Sequence, residues 1–243
     1  MMHRVPLLTL AAILAGPLHA QDASRPTTTI EVGHERNHLD NGSPDWRETS
    51  VQLQHALGKQ SYAAVGLLAT NRFGLADTQV SGAYALPLAT GLVGTIDASY
   101  SETHRVLARH SLGIATQYEF APAWLVHTGL RNTRYDAVSV NQGSLGLERY
   151  VGDFSWMATW YPVRAFGTSA NSYALRGNYY YSDTSFVGLV GATGQEATPI
   201  GANSVVVADV RSLALISRHT LSRTRQGGFY TRNGARIGAQ YAF

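Results

Sequence analysis

The 243 residues include no cysteine. Disulfide staples, thiol nucleophiles and thiolate metal sites are therefore excluded together. Lysine is nearly as scarce: Lys59 stands alone, and arginine carries almost all of the positive charge. Charged residues make up 14% of the chain, against roughly 25% in ordinary soluble domains, yet mean hydropathy is near neutral. Beyond the first twenty residues no run approaches the ~18 apolar residues of a helical membrane span. The formal charge is only +3, and the arginines are scattered singly without a basic stripe, which argues against a nucleic-acid surface despite a pI near 9.2. They read instead as partners for interior acids and for lipopolysaccharide phosphates, which a guanidinium grips bidentately.

What the chain has in quantity is alternation. In its last ten residues Ala235, Ile237, Ala239, Tyr241 and Phe243 fall on one face of a strand, and Arg236, Gly238 and Gln240 on the other. Termini of soluble domains usually fray in water, whereas a bacterial outer-membrane barrel closes with such a strand. Tyr241 and Phe243 are thus expected to form its C-terminal assembly signal. At the other end, His3 and Arg4 precede an apolar run from Val5 to Leu14, and Leu18-His19-Ala20 precedes Gln21. That layout predicts a secretory signal over residues 1–20, cleaved after Ala20, with a barrel domain over 21–243. No cysteine follows the cut, so a lipoprotein anchor is not expected.

Between the ends, short alternating segments repeat. One is Leu92 to Ser101, where Ile96, Ala98 and Tyr100 oppose Thr95, Asp97 and Ser99. Strands are also predicted over Thr27–Glu35, Trp46–Leu57, Ser61–Arg72, Thr78–Leu86, Leu107–Phe120, Trp124–Tyr135 and Ser139–Tyr150. Phe154–Arg164, Asn171–Tyr181, Ser185–Thr193 and a segment from about Val205 to Ser217 follow. A long loop is expected over Gly194–Ser204. Tight turns of about three to five residues alternate with mostly longer polar connections, the asymmetry of outer-membrane barrels, whose short turns face the periplasm. Aromatics flank the tight turns: Tyr62, Tyr84, Tyr118, Phe120, Trp124, Tyr150, Phe154, Tyr179, Tyr180, Tyr181 and Phe186. Such a girdle marks the inner lipid interface, and most of these rings are expected to face lipid. A soluble sandwich explains neither end of the chain. With both ends in the periplasm the strand number is even. Fourteen are expected, the thirteenth truncated within Thr220–Gln226, with twelve as the alternative.

Taken whole, the mature chain resembles the YaiO family of outer-membrane barrels. The likeness lies in the strand rhythm from Thr27 to Gly33 onward, in Leu107-Ala-Arg-His-Ser-Leu-Gly-Ile114, and in Tyr230-Thr-Arg-Asn-Gly234 followed by Gly238-Ala-Gln-Tyr-Ala-Phe243. The resemblance implies outer-membrane location and surface exposure, and supplies no reaction. Against the family pattern Arg218–Arg225 looks short, as if most of one strand were missing.

His34-Glu35-Arg36-Asn37-His38 spells the zinc-protease pattern HExxH, which needs a helix to bring both histidines to one metal. In a strand, residues four apart stand about 13 Å from each other, so the match is read as chance. Arg109-His110-Ser111 invites comparison with lipid hydrolases of the outer membrane. Adjacent strand residues face opposite ways, leaving only a cross-strand partner such as His127 or His104 to activate Ser111. No nucleophile elbow, phosphate loop or nucleotide fingerprint is present. No catalytic, cofactor-binding or metal-binding residue is assigned. The residues of interest are charges predicted to face the lumen: Glu31, Glu35, Asp97, Glu119, Arg131, Glu148, Arg176 and Arg236. Both signs are present and no single-sign ring stands out, which suits either structural ion pairs that plug the interior or a polar pathway that filters solutes. The sequence therefore predicts a monomeric, non-enzymatic barrel with a surface, structural or narrow-channel role. Its partners would be outer-membrane lipids, lipopolysaccharide and the assembly machinery. An enzyme acting on lipid or peptide at the outer rim is the alternative, as is an accessory barrel in exopolysaccharide secretion.

Overall fold

Alternating strands with one apolar face hide that face by packing on another layer or by lying in lipid; this chain takes the second course by closing on itself. The computed structural model describes residues 28–37, 46–72, 74–136, 138–165, 167–182, 185–199, 205–222, 225–231 and 235–242. For 35–37, 196–199, 205–208, 210 and the described residues from 218 onward it describes the backbone alone. The strands are β1 (Thr28–Asn37), β2 (Trp46–Gly58), β3 (Ser61–Arg72), β4 (Leu75–Ala89), β5 (Leu92–Ser101), β6 (His110–Ala121) and β7 (Trp124–Arg134). They continue with β8 (Ser139–Val151), β9 (Phe154–Ala165), β10 (Thr168–Ser182), β11 (Ser185–Pro199), β12 (Val205–Ser222), β13 (Arg225–Thr231) and β14 (Ala235–Ala242).

Each strand pairs antiparallel with its sequence neighbours, and β1 also pairs with β14, so the sheet is a closed barrel with no edge. Twelve strands, β1 to β12, are ten residues or longer, enough for the ~9–11 residues of a tilted membrane strand. Two short ones, β13 and β14, complete the ring with seven and eight residues. The partner of the last strand is therefore Arg225–Thr231, starting five residues later than the segment expected for it. Tyr241 lies on β14 opposite Ile30 and Arg225, while Phe243 lies outside the described residues, as do residues 1–27.

Side chains sort by phase. Val65, Leu67, Ile96, Leu112, Ile114, Leu130, Leu145, Leu175 and Leu213 all point outward and are exposed. In water such a belt would be a large unfavourable apolar surface; in a bilayer it is the lipid-facing wall. The opposite phase lines the lumen, where Asp77, Ser101, Ser111, Glu148, Ser155, Thr159 and Asn178 are buried polar groups.

Connections at one end are uniformly two residues long; at the other they range from two to eight. Two predicted long connections are tight instead. Gly74 and Gly167 adopt φ +76° and +74°, a left-handed conformation that glycine takes freely, so β3–β4 and β9–β10 turn within two residues. The predicted strand from Leu107 begins only at His110, because the Val106 and Leu107 amides bond to the Asp77 carboxylate rather than to a ladder. The predicted loop from Gly194 is strand as far as Pro199, paired with Val205–Val210. The aromatic girdle also divides. Tyr84, Tyr118, Phe120, Phe154, Tyr179 and Tyr181 are exposed on the outer wall, but Tyr62, Tyr150, Tyr180 and Phe186 lie on the lumenal phase of their strands.

Candidate functional site: the stratified lumen

From the tight-turn end upward the lumen is built in tiers. The lowest is aromatic: the Tyr150 and Tyr180 rings lie 6.2 Å apart and those of Tyr180 and Phe186 5.6 Å apart. Beside them buried Asn178 donates to Ser155 Oγ at 3.0 Å.

Above this rung stands Glu148, whose side chain is only 2% exposed. His127 Nε2 lies 3.0 Å from Glu148 Oε2, and Arg176 Nη2 lies 3.6 Å from Oε1. Glu148 pairs with Met157 of β9, which pairs with Arg176 of β10. The carboxylate thus reaches across an intervening strand to its guanidinium. A buried carboxylate without such partners would be strongly disfavoured.

Higher again, Arg131 Nη2 lies 2.7 Å from Asp97 Oδ2 and donates to Oδ1 at 2.8 Å. A second donation, from Nη1, reaches Ser111 Oγ at 3.4 Å. This pair also skips a strand, and the residue between is Gly113 of β6, in register with Asp97 and with Arg131. A Cβ at Gly113 would sit 2.6 Å from Asp97 Oδ1 and 2.9 Å from Arg131 Nη2. The missing side chain is what lets the two groups meet.

At the upper mouth Arg72 pairs with Glu48, donating from Nε at 2.9 Å, while its guanidinium lies over the Trp46 ring at 5.1 Å. Asp77 gathers the β5–β6 connection: its carboxylate accepts Thr103 Oγ1 at 2.7 Å and the amides of Val106 and Leu107 at 2.6 and 2.9 Å. The same connection is tied across to the β7–β8 turn, where His104 Nε2 lies 2.7 Å from Asp136.

Of the charges predicted to line the lumen, Asp97 and Arg131 meet each other, and Glu148 and Arg176 meet each other. Glu31 sits on the lumenal phase of β1 opposite Gln52 and Gln240. Glu119 is exposed beside the β6–β7 turn and accepts the Ala123 amide at 3.3 Å. Glu35 and Arg236 are register partners across β1 and β14, with side chains outside the described set. Sequence reasoning missed Glu48, Arg72 and Asp77, and it named His127 for a different role. The inward phase of Glu48 opposite Thr70 was available as a signal; the loop-binding role of Asp77 was not.

The hydrolase constellation is not brought together by this register. His110 faces outward, whereas Ser111 faces the lumen and shares a hydrogen bond of 2.8 Å with Ser99. His127 pairs with Gln117 and Ser111 with Thr133, six residues apart along the wall, or roughly 20 Å. His104 is engaged by Asp136 and by the Glu102 carbonyl. His34, from the HExxH match, sits on strand β1 and bonds Thr49 Oγ1 at 3.0 Å; His38 lies outside the described residues.

A family model described as YaiO membrane beta barrel domain matches residues 27–198, β1 through nearly all of β11. Among solved structures, a bacterial polysaccharide outer membrane secretin superposes with TM-score 0.64 at 8% identity, over 90% of this chain and 99% of the other. The outer membrane protein Omp33 of Acinetobacter baumannii superposes at 0.56 and 10% identity, over 91% and 100%. OmpF of Salmonella typhi, in complex with daunomycin, gives 0.51 and 9%, over 89% and 97%. At such identities the likeness is one of fold. No curated protein matches the sequence.

Proposed function

The chain belongs to the YaiO membrane β-barrel family, and on that footing we propose that it is a narrow, weakly ion-selective conduit across the outer membrane for small neutral solutes. The carrying observation is that one lumenal acid–arginine pair near mid-height cancels in charge and yet stays accessible to water. Asp97 and Arg131 neutralise each other while their side chains remain 13% and 29% exposed. Eight strands give a barrel filled by its own side chains, and sixteen to eighteen leave an open aqueous channel; fourteen lie between. A ring of one sign would select an ion. Paired groups instead present alternating donors and acceptors that suit hydroxyl-rich, uncharged molecules.

The inward Tyr150–Tyr180–Phe186 rung favours a second, narrower reading, in which the solute is a saccharide. Aromatic faces offer a sugar ring apolar contact. The polysaccharide secretin shares the fold, and polysaccharide traffic fits this lining. Catalysis has no part in either reading, and the barrel acts as a monomer. Export with cleavage after Ala20 belongs to the same picture, and the intact mass of the protein from outer membranes would check the cut.

The test is liposome swelling with the refolded barrel alongside single-barrel recording in a planar bilayer. The proposal requires entry of small uncharged sugars and small, steady conductance steps. A folded barrel that admits no sugar and shows no steps would overturn it, and would leave the ion pairs a purely structural role.

A further inference from the structure

The outer wall carries a feature that the lumen does not explain. One outward register row runs Leu145, Trp160, Tyr173, Thr193 and Arg211 across β8 to β12. The next outward row toward the tight turns holds Leu147 and Leu175, with small residues Ala158 and Gly191 among them. A Cβ built at Gly191 meets nothing closer than Leu213 Cδ1 at 4.0 Å. Between the rows lies an apolar groove of about 970 Å³ that ends at Arg211. Residues of both outward rows line it, together with the register row between them, Gly146, Thr159, Ala174, Ala192 and Ser212, whose side chains take the lumenal phase and whose backbone forms the floor; His127, Met157 and Arg176, the long lumenal side chains of that level, do not line it. It therefore opens to lipid.

Depth and charge say what fills it. Along β11, Thr193, the partner of Arg211, is eight residues from Ser185 at the tight-turn end. That is about 27 Å of strand, or about 21 Å along the membrane normal at the usual barrel tilt. With the tight turns in the periplasm, Arg211 stands near the top of a ~25 Å apolar band, and its long side chain reaches the headgroups of the outer leaflet. At the same upper boundary Trp160 Nε1 donates to Asn171 Oδ1 at 2.9 Å. Asp209, one outward position above Arg211 on β12, is exposed; its carboxylate confines an anion to the groove side of the guanidinium.

We propose that this groove docks one lipopolysaccharide molecule, an acyl chain lying over Ala158 and Gly191 and a lipid A phosphate paired with Arg211. An acyl chain needs a slot lined by bulky apolar walls over a small-residue floor, and a phosphate at that depth needs a guanidinium. The inference rests on the barrel's placement in the outer membrane and is independent of whether its lumen conducts.

Native mass spectrometry of the full barrel released from detergent tests it, with bisphosphorylated lipid A, its dephosphorylated form and phosphatidylglycerol as probes. Wild-type protein should retain one bisphosphorylated lipid A. Arg211→Ala should weaken retention about tenfold, the loss of one charge-assisted contact, and Gly191→Leu should weaken it by filling the slot. Arg149→Ala, an outward arginine stacked on Trp124 near the tight turns, should change nothing. Heat-dependent gel mobility confirms that each variant is folded. Equal retention by wild type, Arg211→Ala and Gly191→Leu would overturn the site. Equal retention of phosphatidylglycerol and lipid A would overturn its assignment to lipopolysaccharide.

Discussion

Two lumenal ion clusters use one device and reach opposite ends. In each, an acid on one strand meets an arginine two strands away. Over β6 the intervening residue is Gly113, so Asp97 and Arg131 meet above bare backbone, open to the lumen. Over β9 it is Met157, whose sulfur lies 3.6 Å from Arg176 Nη2, and Glu148 is sealed beneath His127 and Arg176. A glycine at the crossing leaves the pair accessible to solute, whereas a methionine buries it. The first pair is positioned to set the electrostatics of a pathway, the second to hold the wall together. An acid and an arginine two strands away are common to both; the residue between differs, and the sealed cluster adds His127.

This contrast is broken most severely at the sealed cluster. Glu148→Ala leaves Arg176 without its acid in a largely buried setting, and removing one partner of a buried pair costs about 3–5 kcal/mol. Urea unfolding of the barrel in lipid should show that loss, with Glu148→Gln closer to wild type because it keeps a hydrogen-bond acceptor.

Next comes Asp77→Asn, which weakens the charge-assisted hydrogen bonds that hold the β5–β6 connection. A cost of about 1.5–3 kcal/mol should appear as faster proteolysis within residues 102–109, with the barrel itself intact. Gly113→Val is expected to cost about 1–3 kcal/mol by overpacking. Its value lies elsewhere, since it makes the open crossing resemble the sealed one and separates Asp97 from Arg131. Conductance should fall further than stability does.

The smallest stability effect is expected from Arg131→Ala, at about 1 kcal/mol or less, because a partly wetted pair contributes little. Comparing its unfolding midpoint with that of Glu148→Ala checks the ranking directly. Similar losses from both would mean that the two clusters are equally buried.

How much of this was legible beforehand follows from what alternation can carry. The phase of Asp97, Arg131, Glu148 and Arg176 was plain in the sequence, because period two assigns a face to every residue of a regular strand. Their partners were not legible, since pairing across a skipped strand depends on the stagger between three strands at once. The girdle rings that turn inward, Tyr62, Tyr150, Tyr180 and Phe186, keep the lumenal phase of their strands, so alternation itself placed them, and reading the aromatics near the tight turns as one lipid-facing girdle hid them. Three consecutive tyrosines, 179 to 181, cannot all face lipid, and Tyr180 turned inward to build the aromatic rung. Asp77 was hidden for another reason: it fell before the predicted start of its strand, and its ligands are backbone amides that no side-chain pattern reports.

The lumen's paired charges are the centre of this account, and the reversal potential of the reconstituted barrel under a salt gradient tests them most directly. A value near zero is predicted for the wild type, moving toward cation selectivity in Arg131→Ala as Asp97 loses its partner. Strong selectivity in the wild type, or a reversal potential unmoved by that substitution, would contradict it.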